Sequence, residues 1–130
     1  MQNKKAQSAV ELMIVISFIA FFFILFIGAI QSKMADKTYE KKNIIIKDVV
    51  KNVKEEINLA AQSQDGYYRE FEIPDKIIND EYGIYLFERV VYANTTDQKH
   101  AIALSTANAT GILKKGTNII QKQNGEINLN

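Results

Sequence analysis

The chain has 130 residues, no cysteine and one histidine, and its 16 basic and 15 acidic residues leave a formal net charge of +1. Disulfides and cysteine-based metal sites are therefore excluded, His100 alone cannot form a histidine cluster, and the near balance of charge implies no nucleic-acid partner. The length bounds the chain at one domain plus an appendage.

The chain opens on Lys4-Lys5-Ala6-Gln7-Ser8-Ala9-Val10-Glu11, and an uncharged run follows from Leu12 to Ile30. A carboxylate beside hydrocarbon loses hydration and needs compensation. Two readings of Glu11 stand. Ser8 and Glu11 have capping-box spacing, and a Glu in a first helical turn suits the helix dipole. Alternatively, cleavage after Ala6 would leave Gln7 as a new N-terminus, whose ammonium could pair with Glu11 of an adjacent copy and set axial register. Lys4 and Lys5 would then mark the processing site, although they also serve as plain topogenic charges. An N-terminal Gln that cyclises would lose the amine this pairing needs.

The run Leu12 to Ile30 has Ser17 as its only polar side chain. At 1.5 Å per residue it rises roughly 28 Å, which matches a hydrocarbon core of ~30 Å. It is apolar all round, so lipid or other helices must cover it. It is too long for a removable secretory signal, whose apolar region is ~7–15 residues. Gly28 is either a point of close helix contact and local unwinding or an ordinary membrane-helix glycine. Lys33, Lys37, Lys41 and Lys42 outnumber Lys4 and Lys5, so the basic count places the C-terminal side in the cytoplasm; the sequons considered below place it outside.

At these residues the sequence resembles the archaeal type IV pilin-like proteins with a class III signal peptide. Basic residues, a small residue and then Q-x-S-x-E-L form their pattern, and Gln7, Ser8, Glu11 and Leu12 match it. Ala6 stands where that family often has Gly. The resemblance implies that a prepilin peptidase cuts between Ala6 and Gln7. It also implies that Lys4 and Lys5 contribute to leader recognition, and that Gln7 and Glu11 act in assembly. The apolar helix would be retained, first in the membrane and then in a filament core. The implied partners are identical or related subunits, the peptidase, an assembly ATPase and a membrane platform protein.

Beyond Ile30 the apolar positions Tyr39, Ile46, Val49, Val50, Val53, Ile57, Ala60 and Ala61 fall on one helical face. No Pro or Gly interrupts Gln31 to Ser63, and Gln64-Asp65-Gly66 reads as a stop. One helix is predicted from about Ser8 to Gln62. The period then changes to two. Phe71 and Ile73 alternate with Glu70 and Glu72 before Pro74. Ile77 and Ile78 occupy a connector. Tyr82 to Phe87 and Val90 to Ala93 suggest a hairpin across Glu88-Arg89, and His100 to Ser105 places Ile102 and Leu104 on one side. Asn118 to Gln123 and Glu126 to Leu129, joined by Asn124-Gly125, form the clearest hairpin signal.

Asn94-Thr95-Thr96 and Asn108-Ala109-Thr110 are sequons in Asn/Thr-rich stretches read as loops. N-glycosylation at Asn94 and Asn108 agrees with the modification common in the resembling family. Nothing in the chain carries a catalytic signature. Asp75, Asp80 and Glu81 match no calcium-loop spacing, and Gly111 to Gly116 around Lys114-Lys115 lacks the phosphate-loop pattern. No catalytic residue, metal or cofactor is expected.

The expected fold class is α+β: a long N-terminal helix packed on a small antiparallel β-sheet domain, a lollipop with a lipid-soluble stick. The expected segments are a leader at 1–6, a transmembrane and filament-core helix at 7–30, its amphipathic continuation at 31–65 and a β-rich head at 66–130. The expected function is that of a structural filament subunit. The alternative is a non-polymerising single-pass membrane protein with a small binding domain outside.

Overall fold

A computed structural model describes residues 2–130, the side chains of Gln2, Asn3 and Lys5 excepted. Helix α1 spans Gln2–Gln62. It starts earlier than Ser8, because Gln, Lys and Ala are good helix formers and no Gly or Pro precedes them. Ser8 therefore lies inside the helix, and its hydroxyl donates to the Lys4 carbonyl at 3.0 Å. This back-bond takes the place of the capping box, which does not form.

The chain divides into two compact units, Met1–Tyr39 and Glu40–Asn130. In the first, the large apolar side chains from Val10 to Ile30 are all exposed. Ser17 satisfies its hydroxyl within the helix by donating to the Met13 carbonyl at 2.8 Å, so the run presents no unmatched side-chain donor.

In the second unit, α1 buries Ile46, Val49, Val50, Val53, Ile57 and Ala60 in the core. Tyr39 shares their spacing but stays outside, 48% exposed. Seven strands follow: β1 Tyr68–Ile73, β2 Tyr82–Phe87, β3 Val90–Thr95, β4 Ala101–Ser105, β5 Thr110–Gly111, β6 Gly116–Gln123 and β7 Glu126–Leu129. They form two sheets, ordered β1-β6-β7-β5 and β2-β3-β4. Every pairing is antiparallel except β5 with β7. The architecture is α+β, with the helix packed on an antiparallel-rich sheet domain.

Both predicted hairpins form. Glu88-Arg89 joins β2 to β3, with Glu88 at φ 49°. Asn124-Gly125 joins β6 to β7 with φ values of 53° and 79°, the pair of positive angles that an Asn-Gly turn supplies. The short β5 carried no sequence signal. It exists because Gly111, at φ +117°, brings its backbone against β7; a Cβ there would lie 2.0 Å from the Leu129 carbonyl oxygen.

The end of α1 has no basic residue in its last turn. Lys122 of β6 fills that role from a distance, its Nζ donating to the Ala61 and Ser63 carbonyls at 2.8 Å each. A cation there suits both the orphan carbonyls and the helix dipole. The chain then turns through Gly66 (φ +92°), and the Asp65 carboxylate accepts from the Gly125 amide at 2.9 Å. Fully buried Asn118 spends its whole amide on the backbone and one neighbour: Nδ2 donates to the Lys114 and Gly116 carbonyls, and Oδ1 accepts from the Lys114 amide and Asn130.

Three variants test this packing by thermal melting of the detergent-solubilised chain. Ile57→Asp should lower stability by at least about 3 kcal/mol, since it removes a core side chain and buries a charge. Gly111→Ala should cost about 2 kcal/mol or more, whereas Gly125→Ala, with nothing within 4 Å of the added carbon, should cost less. Equal losses at the two glycines would reject the β5–β7 contact as the reason for Gly111.

Candidate assembly segment and surface sites

The N-terminal residues assigned to processing and assembly lie on one helical stretch. Lys4, Ala6, Gln7 and Glu11 are exposed in α1, while the Lys5 side chain lies outside those described. Gln7 and Glu11 are four residues apart, hence on one face, and the Gln7 amide donates to the Glu11 carboxylate at 3.2 Å. The Ala6–Gln7 bond lies within helical backbone.

From there the helix turns apolar. It is long and apolar enough to cross a membrane, and none of the most apolar window is buried. Phe21 and Phe22 meet edge to face with centroids 6.3 Å apart. Phe22, Phe23 and Phe26 frame an open hollow of about 350 Å³ with almost wholly apolar walls. A Cβ built at Gly28 would meet nothing within 4 Å, so Gly28 leaves an unfilled notch on the helix surface.

The two sequons differ. Asn108 is exposed in the connection between β4 and β5. Asn94 is not in a loop, as the Asn/Thr composition suggested. It is half-buried in β3, the central strand of its sheet, opposite Gly83 on one side and Ala101 on the other. Strand pairing on both flanks overrides the local turn preference of Asn and Thr. Thr95 is fully buried and its hydroxyl donates to Asp97 at 2.6 Å.

Several titratable groups of the second unit are held in place by partners. His100, only 2% exposed, receives structure from both sides: its backbone amide donates to Thr95 Oγ1, and its ring Nδ1 meets Asn43 Oδ1 of α1. Lys42 pairs with Asp80. Glu81 lies between Lys115 (2.6 Å) and Lys76 (3.3 Å). Lys115 above all, with Lys76 beside it, draws the Glu81 carboxyl below its usual range. The Thr95 hydroxyl, helped by the Lys99 backbone N–H, does the same for Asp97. Asn79, Asp80, Glu81, Thr96 and Asp97 line an open hollow of about 420 Å³. Among the described residues no group of His, Cys, Asp and Glu is arranged to hold a metal ion.

Sequence reasoning missed Lys122 and Asn118, whose roles need partners far along the chain. It also missed a row of rings, Tyr92, Tyr85 and Phe87, although alternation in the β2–β3 hairpin places all three on one sheet face.

No family model, no curated protein and no solved structure matches this chain.

The two depressed carboxyls fix a sign for pH dependence. Their ionised forms stabilise the fold above the ordinary carboxylate pKa, and that contribution is lost as pH falls from there towards their lowered folded values. Melting temperature should therefore drop on the acid side of the ordinary carboxylate range. The drop should be shallower for Asp97→Asn and Glu81→Gln; curves parallel to the wild type would show that neither group contributes.

Proposed function

We propose that this chain is a structural subunit of an archaeal type IV pilus-like surface filament, serving surface attachment and assembled through its N-terminal helix. The observation that carries this reading is a carboxylate, Glu11, at the head of a helical run whose large apolar side chains are exposed among the described residues. Lipid can cover that surface before assembly and neighbouring helices afterwards, and Glu11 is compatible with either only when its charge is matched.

The steps follow the resemblance of Lys4 to Leu12 to prepilins. A prepilin peptidase reads Lys4 and Lys5 and cuts between Ala6 and Gln7. The new ammonium is the backbone nitrogen of Gln7, four residues before Glu11, while the Gln7 side-chain amide already meets the Glu11 carboxylate. On packing, amine and carboxylate of adjacent copies compensate each other in an apolar bundle and fix the axial offset. An assembly ATPase and a platform protein in the membrane drive the transfer from bilayer to filament. The sheet unit lies on the outer side, where a glycosylation machinery modifies Asn108 and Asn94 before the filament forms. In this reading the protein is not an enzyme.

A second reading keeps the membrane helix and drops the filament. Among the described residues the hydrophobic core of the sheet unit uses none before Ile45, so that unit could act as an anchored binding domain by itself.

Intact mass of the chain purified from the cells that make it separates these readings. A filament subunit lacks Met1 to Ala6 and keeps the apolar helix; an anchored protein keeps both; a secreted one lacks both. Glu11→Ala should leave processing and insertion unchanged and reduce filaments counted by electron microscopy at least ~10-fold, a coupling of about 1.4 kcal/mol or more. Filament counts equal to wild type would remove the assembly role of Glu11.

A further inference from the structure

The outward face of the β2-β3-β4 sheet carries an aromatic row. Tyr85 of β2 and Tyr92 of β3 are directly opposite each other, with centroids 6.2 Å apart and rings within 25° of parallel. Phe87 continues the row from Tyr85 with the same separation and angle. Phe87 is 62% and Tyr85 49% exposed. The opposite face takes the buried side chains Ile84, Val91, Ala93 and Thr95, so the ring-bearing face is not the one that closes the core.

Asn94 stands on the same face as the rings, two residues beyond Tyr92. Its cross-strand neighbours are Gly83 and Ala101, two of the smallest side chains available. The Tyr85 ring leans over Gly83: a Cβ there would lie 2.5 Å from the Tyr85 hydroxyl. The rings therefore begin beside Asn94: the Tyr85 ring fills the space over Gly83, and Ala101 on the other flank adds only a methyl group. Ala103 and Ser105 of β4, both exposed, add no bulk along the row. None of these side chains is charged. Among the described residues the Asn94 amide makes no side-chain hydrogen bond.

An uncharged aromatic terrace suits the apolar face of a neutral sugar ring, and the sequon Asn94-Thr95-Thr96 supplies the tether. We propose that Asn94 carries an N-linked glycan whose first sugars lie on the Tyr92, Tyr85 and Phe87 rings. The inference rests on the exterior placement of the sheet unit given under the proposed function. In the transfer, the bond from the sugar C1 to the phosphate of a lipid-linked oligosaccharide breaks, and a bond from C1 to Asn94 Nδ2 forms. The amide gives up one proton, and the lipid phosphate leaves with the bonding electron pair. In the folded chain the Thr96 hydroxyl is occupied with the Glu81 carbonyl at 3.0 Å, and Thr95 is fully buried. Transfer therefore precedes the seating of β3 in its sheet. The glycan then covers a surface that would otherwise invite non-specific association.

The test uses the full chain purified from the cells that make it. Glycopeptide mass spectrometry should find sugar on Asn94. Nitration of Tyr85 and Tyr92 by tetranitromethane should be about fivefold faster in Asn94→Gln than in wild type, the ratio expected from an aromatic-stacking preference. Tyr68, which is 57% exposed on β1, is the internal reference and should not change. Asn108→Gln should leave both rates as in wild type. Nuclear Overhauser contacts from sugar protons to the Tyr85 and Tyr92 rings should be present in the unsubstituted chain, which tests docking even where the variant folds poorly. An unmodified Asn94 overturns the proposal. So does a modified Asn94 with equal nitration rates and no such contacts, including rings shielded in both forms by a neighbouring copy. The same spectra show whether the chain starts at Gln7, so failure of the filament reading is scored separately.

Discussion

An apolar helix surface has to be covered, and among the described residues the large apolar side chains from Val10 to Ile30 are all exposed. Each large side chain between Val10 and Ile30 would contribute about 1.5–3 kcal/mol on burial. Together they outweigh the 5–15 kcal/mol that typically separates a folded domain from its unfolded state. Such a surface cannot remain in water, so the first unit is defined by its surroundings. Lipid suffices as the cover. What lipid cannot provide is a reason for helices to leave it, because hydrocarbon and a neighbouring leucine are equally apolar. Any association within or out of the bilayer must draw on close packing and on polar matches. In this helix the features available for that are few: the notch at Gly28, the ring-lined hollow at Phe22, Phe23 and Phe26, and the carboxylate of Glu11.

The second unit solves the opposite problem. Its helical segment has one apolar face, and two sheets supply the rest of the core. The ends are tied by contacts of long sequence separation. Lys122 closes the carbonyl end of α1, Asp65 holds the last hairpin turn, and Asn118 fastens the loop before β6. Removing a partner of the buried Asn118 amide leaves a polar group unsatisfied, which costs more than the bond itself contributes. Since, among the described residues, the hydrophobic core draws on none before Ile45, changes in the apolar segment should act on membrane behaviour and leave the sheet unit intact.

Periodicity made much of this visible beforehand. The change from helical spacing at Ala60 to alternation at Phe71 placed the end of α1 and the start of the sheets, because burial on one face leaves a period in any amphipathic element. Asn124-Gly125 announced its hairpin through the positive φ that both positions need. Other features left no such trace. Ser8 with Glu11 looked like a helix start, yet the residues before them propagate the helix equally well, and a cap forms only where a helix begins. Asn94 looked like a loop residue, and its place in β3 follows from the partners on either side. The aromatic row belonged to the sheet pattern but not to its buried half, so a search for core positions passed over it.

The early start of α1 bears on how cleavage would act. In the uncut chain Glu11 is in the helix interior, beyond the first turn where the macrodipole is felt. Its carboxylate then depends on a neutral partner, the Gln7 amide. Cutting before Gln7 removes the preceding turn and frees the amides of Gln7 to Val10 at a new positive helix end. It also turns the backbone nitrogen of Gln7 into an ammonium about one helical turn from Glu11. Under the proposed reading, processing therefore does more than shed a leader. It changes Glu11 from a tolerated charge into one half of a pair, which a single subunit can satisfy in the bilayer and exchange with a neighbour as helices come together. Timing follows from this physics, since an uncut chain carries the carboxylate without the amine and has no charge to offer the next copy at that level of the helix.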